Sequence, residues 1–171
     1  MDQAMMVGLR FVHIVAGVFW AGAVFLMVGF IFPAVRASGP QAGRFMEEVA
    51  RRRLPVFMNI AAGLTMLSGI IMMGSAVAST DGAWLDTRSG MAFTVGGVAA
   101  IIGGIIGGTV SGRGGRRMAK IGETIKASGG APTPEQTAEL AAVQTRMAKA
   151  MRVVAALLLV AVTSMATARY L

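Results

Sequence analysis

The chain has 171 residues, 55% hydrophobic and 14% charged, a composition too apolar for a soluble domain of this size and suited to lipid. Its formal charge of +8 is explained by basic loops that orient a membrane protein, without a nucleic-acid partner. The absence of cysteine excludes disulfides, thiolate metal sites and thiol nucleophiles. One membrane domain over residues 1–171 is expected, since each spanning helix takes about 20 residues.

Four apolar runs are long enough to span: residues 7–32, 56–78, 91–110 and 153–168. The first is too long for the apolar core of a signal peptide and has no basic start, so it reads as a spanning helix. It contains His13, the only histidine, with Arg10 one turn before it and Trp20 two turns after. An ionisable group inside a span costs free energy and marks a functional position by default. Imidazole below guanidinium suits a haem whose iron binds His13 and whose propionates reach Arg10. The structural alternative is a helix-to-helix hydrogen bond from His13 and an Arg10 that snorkels to the headgroups.

The first linker, residues 33–55, carries Arg36, Arg44, Arg51, Arg52 and Arg53, and "GPQAGRFMEEVARRRLP" reads as a short interfacial helix stopped at Pro55. In the second span, Met72 and Met73 share the outer half of the bilayer with His13, as do Met91 and Met165. A thioether is a soft ligand for haem iron or Cu(I), although most of the 14 methionines should be packing. Asn59, near the other end of that span, is expected to bond a neighbouring helix.

The second linker, residues 79–90, holds Asp81, Asp86 and only one base, Arg88. The third span holds Gly96, Gly97, Gly103, Gly104, Gly107, Gly108 and Gly112, of which Gly103 and Gly107, Gly104 and Gly108, and Gly108 and Gly112 make small-xxx-small pairs. That face, over residues 96–112, should pack closely against the first helix or a second copy, giving a homo-oligomer or a subunit of a larger complex.

The third linker, residues 111–152, carries eight more bases, so the first and third linkers together hold 13 of the 16. The positive-inside rule then puts both in the cytoplasm and both termini outside. Within it, Thr133 as N-cap, Pro134 and Glu135 start a helix that should run to Arg169 and project into the cytoplasm. The expected fold is all-α: an integral membrane four-helix bundle, N-out and C-out, with a cytoplasmic extension of the fourth helix. Paired carboxylates at membrane depth and a second histidine are lacking, which speaks against hydrolytic chemistry.

The segment "LRFVHIVAGVFWAGAVFLMVGFIFPAVRA", with His13, then Trp20, Ala21 and Gly22, then Pro33 and basic residues, resembles the first helix of the copper resistance protein D-like (CopD-like) superfamily. "LPVFMNIAAGLTMLSGIIMM", with Ser68 before Gly69, is similar to the group's second helix. The superfamily includes uncharacterised membrane proteins, the membrane domain of a urate oxidase type and J-type protoporphyrinogen oxidases. The resemblance covers roughly the first 75 residues and implies a haem b or metal ligand at His13, in the cytoplasmic (inner) membrane of a bacterium. Family members with haem tend to carry a second His or a Lys ligand; this chain has neither in a span, which departs from the porphyrinogen oxidases. Three functions follow as expectations: a membrane cytochrome-like protein with His13 as axial ligand and Met72 or Met73 opposite, a cofactor-free accessory subunit, or copper handling by His13 and methionines.

Overall fold

A computed structural model describes residues 2–38 and 42–171, and every regular element among them is helical. Four helical stretches are long and apolar enough to cross a membrane: Gln3–Ala37, Leu54–Ala78, Arg88–Ser128 and Pro134–Tyr170. Phe11, Val18, Leu67, Ile105 and Leu159 point away from the bundle and are exposed, a coat that water would not tolerate and lipid does.

Helix α1 (Gln3–Leu26) starts at Asp2, whose carboxylate accepts from the Met5 N–H at 2.7 Å. It does not end at Phe32 as the apolar run suggests. A π-helical turn over Met27–Ile31 carries it into α2 (Phe32–Ala37), past Pro33. Proline has no N–H to donate and its ring crowds the preceding turn, and the widened turn, in which the Phe32 N–H reaches the Met27 carbonyl, relieves both.

Helix α3 (Ala42–Arg51) is the short amphipathic helix expected in the first linker; the preceding Gly39, Pro40 and Gln41 lie outside the described residues. Glu48 bridges Arg51 and Arg52 on its exposed face, at 2.8 and 3.1 Å. Arg53 then takes a left-handed conformation, φ 59°, which breaks the helix before Pro55 and starts α4 (Leu54–Ala78).

The third linker differs most from its sequence reading. Helix α5 (Arg88–Ser128) runs through the third apolar span and on for another 18 residues of basic, glycine-bearing sequence, to a left-handed Gly129. Helix α6 (Pro134–Thr167) begins where expected, on a full capping box: Thr133 caps the Gln136 N–H and the Gln136 side chain returns to Thr133. Both helices therefore outrun their apolar stretches, by roughly 27 Å at 1.5 Å per residue, as one antiparallel hairpin. Arg117 pairs with Glu139 across it, Ile121 is buried in it and Met147 covers Gly114.

The bundle consists of α1 on α4 and α5 on α6, joined through α4–α5 and α1–α6 contacts. Its core is built of small side chains, among them Ala16, Ala21, Ala61, Ala62, Ala99, Ala100 and Ala161, around Trp20, Val24, Val154 and Leu158. Small residues bring helix axes close, the means by which packing gains energy where lipid removes the hydrophobic drive between helices. The glycine face of α5 serves this purpose within the chain. Cβ atoms added at Gly96 and Gly103 would meet Met165 and Leu157 of α6 at 3.0 and 3.6 Å. Gly107 faces Val154, and Gly104 faces Met66 and Trp20. Helix α6 is thus the main partner of a face that was expected to meet α1 or a second copy; Gly97, Gly108 and Gly112 have nothing within 4 Å. Asn59 is also corrected: it is exposed and bonds no other helix among the described residues, because its turn of α4 faces outward.

Candidate functional site around His13

His13 lies on the face of α1 that packs against α4. Opposite it, Ser68 and Gly69 remove bulk: a Cβ at Gly69 would sit 2.9 Å from His13 Cε1 and 3.2 Å from Nδ1. Glycine is required there because the imidazole occupies the space a side chain would fill.

The hydrogen bonding sets the tautomer. His13 Nδ1 lies 2.9 Å from the Thr65 carbonyl oxygen, which can only accept, so Nδ1 carries the hydrogen. The Ser68 hydroxyl donates to the Leu64 carbonyl at 2.6 Å, leaving its lone pairs free to accept the weaker branch from Nδ1 at 3.3 Å. The neutral ring then keeps its lone pair on Nε2. Nε2 has no protein partner among the described residues, and no buried side-chain nitrogen there is left unpaired, so this atom is not fully buried. Thr65 spends its own hydroxyl on the Ala61 carbonyl at 2.8 Å, which keeps its backbone oxygen available to histidine.

The antiparallel register of α1 and α4 places the other candidates. Thr65 faces Gly17 and Gly69 faces His13. One turn further toward the N-terminus of α1, Met72 and Met73 come level with Leu9 and Arg10. At 100° per residue, Met72 falls within about 20° of Thr65, in the middle of the face turned to α1, and Met73 falls about 80° away, at its edge. Both are half-buried, whereas Arg10 is exposed. The other methionines at this end are engaged otherwise: Met165 packs on Gly96, and Met91 is exposed.

Trp20 does not join His13. It lies two turns, or about 10 Å, further along α1, 5% exposed, with its ring edge at Gly104 and Met66 where α1, α4 and α5 meet. Its indole is a core filler in this structure. No set of three His, Asp or Glu side chains able to hold a metal occurs among the described residues.

Sequence reasoning missed two concave surfaces. A groove of about 770 Å³ runs between α1 and α4 on the side away from His13, floored by Ala16 and Ala61, walled by Phe11, Phe19, Phe57 and Leu64, and closed by Val49 and Arg52. A cleft of about 170 Å³ lies between the end of α1–α2 and α6. Neither is lined by His13, Arg10, Trp20, Met72 or Met73. The chain matches no protein-family model, no curated protein and no solved structure.

Proposed function

We propose that the protein is a multi-pass membrane protein of the cytochrome b kind, in which His13 is an axial ligand of haem b. The observation that carries the proposal is the state of the ring: Nδ1–H is held by the Thr65 carbonyl, and Nε2 is left without a partner among the described residues and is not fully buried. Ligating histidines are characteristically held this way, because a hydrogen bond at one nitrogen fixes the orientation of the ring and raises the basicity of the other. Arg10, one turn outward, suits the propionates, and Met72 on the same face of α4 is favoured over Met73 as a second ligand by its angle on the helix. The resemblance of the first two helices to the CopD-like superfamily supports the same role for His13. Bound haem would supply one-electron transfer, and the Thr65 carbonyl would orient the imidazole that holds it.

The membrane is proposed to be the bacterial cytoplasmic membrane, with both termini outside. Arg36, Arg51 to Arg53 and the bases of the α5–α6 hairpin gather at one end of the bundle, as the positive-inside rule requires of a cytoplasmic end.

A cofactor-free accessory subunit is the second reading, favoured by the same bond: ring, Thr65 carbonyl and Gly69 also make a complete clamp between α1 and α4. The absorption spectrum of the purified protein, oxidised and dithionite-reduced, separates the two. The haem reading expects a Soret band that His13→Ala abolishes. A colourless protein from haem-replete cells, or a band unchanged in His13→Ala, overturns it. The accessory reading expects no chromophore and a loss of only about 0.6 kcal/mol in His13→Ala, the usual size of a hydrogen bond between membrane helices. Copper without iron on metal analysis selects the third reading, Cu(I) held by His13 and methionine sulfur.

A further inference from the structure

Two arginines distant in sequence line one cleft. Arg36, in the last turn of α2, and Arg152, at the start of the apolar part of α6, border it together with Val28, Phe32, Pro33 and Ala148. The π-helical turn at Met27–Ile31 governs this meeting. An inserted residue rotates everything after it by about 100° about the helix axis, so the turn decides which face of α2 Arg36 occupies. Neither guanidinium has an acidic partner among the described residues, whose ion pairs engage only Glu48 and Glu139. Both arginines are exposed, so their donor forks are open to an anion that enters the cleft.

We propose that this cleft binds the phosphate of an anionic phospholipid. Three features select that occupant. Guanidinium groups present planar donor forks that match phosphate oxygens, and two of them here share a space of about 170 Å³, the scale of a headgroup fragment. Arg36 follows the apolar run of the first helix by four residues and Arg152 immediately precedes that of α6, so the cleft lies at the depth of the headgroups. Val28 and Phe32 supply an apolar wall for the beginning of an acyl chain, which free phosphate would not use. Basic pockets between membrane helices on the cytoplasmic side recognise acidic headgroups by this combination. The proposal needs the membrane location and not haem, so a protein without a Soret band leaves it intact.

The test is lipid binding to the full chain in neutral detergent, followed by native mass spectrometry during titration with phosphatidylglycerol, phosphatidylcholine or inorganic phosphate. Phosphatidylglycerol should bind more tightly than phosphatidylcholine. Arg36→Gln with Arg152→Gln should weaken phosphatidylglycerol roughly 30-fold, since each basic residue contributes about a five-fold preference for anionic lipid. Lys120→Gln with Lys126→Gln removes the same charge from the part of α5 that lies about 15–24 Å beyond the apolar run and should change nothing. Arg36→Lys with Arg152→Lys, which keeps charge and loses the fork, should fall between wild type and the glutamine pair, and it decides the matter if the glutamine pair does not fold. Equal lipid binding by the cleft variants and wild type, an equal loss in the control pair, or inorganic phosphate bound as tightly as the lipid would each overturn the proposal.

Discussion

At the scale of single residues, the site depends on a glycine more than on its histidine's neighbours in sequence. Gly69 gives His13 its seat, and a methyl group there would come within 2.9 Å of the ring. In Gly69→Ala the ring must shift away from its seat, so the Soret band proposed for haem at His13 should weaken or vanish while the helix content by circular dichroism stays at the wild-type level. An unchanged spectrum would show that the Nδ1 bond does not orient the ligand. His13 itself, with Ser68 before Gly69, was legible in the sequence because an imidazole in an apolar run is costly. That Thr65 supplies the carbonyl was not legible: every residue carries one, and only the register of α1 against α4 selects it. For the same reason Trp20, two turns along the chain from His13, belongs to a different junction.

At the scale of elements, the start of α6 and the end of α4 at Ala78 were readable, whereas the starts of α1 and α5 and the end of α5 were not. The Thr133 capping box is a local device, and local devices are visible in sequence. Thr133→Ala should cost about 1 kcal/mol of local stability, seen as faster amide exchange in the first turn of α6. The adjacent Glu135 carboxylate is held below its ordinary value of 4.5 by a backbone hydrogen bond and then by the Thr133 hydroxyl. Its contribution is therefore present above pH 4.5 and is lost as pH falls through the lower folded value. Protection factors at Thr137 and Ala138, taken relative to the intrinsic exchange rate at each pH, should fall in acid, and more so in wild type than in Thr133→Ala. The continuation of α5 to Ser128 was hidden by glycines and charges that argue against a helix in isolation; contact with α6 supplies what propensity lacks. Where Gly96 meets α6, Gly96→Val would press on Met165 and the Ala161 carbonyl and should cost roughly 1–3 kcal/mol in denaturant unfolding, as overpacking does. The same substitution at Gly97, with open space around it, should cost much less.

At the scale of the whole molecule, the chain has a basic end and a nearly neutral one, and its lack of cysteine makes that polarity easy to examine. Single cysteines at Lys126, in the last turn of α5, and at Asp81, in the α4–α5 turn, should label from opposite sides of intact cells. A membrane-impermeant maleimide should reach position 81 from outside and position 126 only after lysis; the reverse pattern would invert the proposed orientation and move His13 to the cytoplasmic half. The oligomer contact expected on the glycine face has less room than its spacing implied. Gly96, Gly103 and Gly107 are taken by α6, and only Gly97, Gly108 and Gly112 stay open to another chain.

Composition and hydropathy alone determined that the chain is helical, that four stretches can span a bilayer and that one histidine stands out among them. These properties are local sums over about 20 residues, and packing cannot change them. Tertiary structure alone decided which partner each face meets: α6 for the glycines of α5, Thr65 and Gly69 for His13, and Arg152 for Arg36. Such choices depend on helix register and rotation, and a π-helical turn at Met27–Ile31 or one extra residue resets them without a trace in the mean hydropathy.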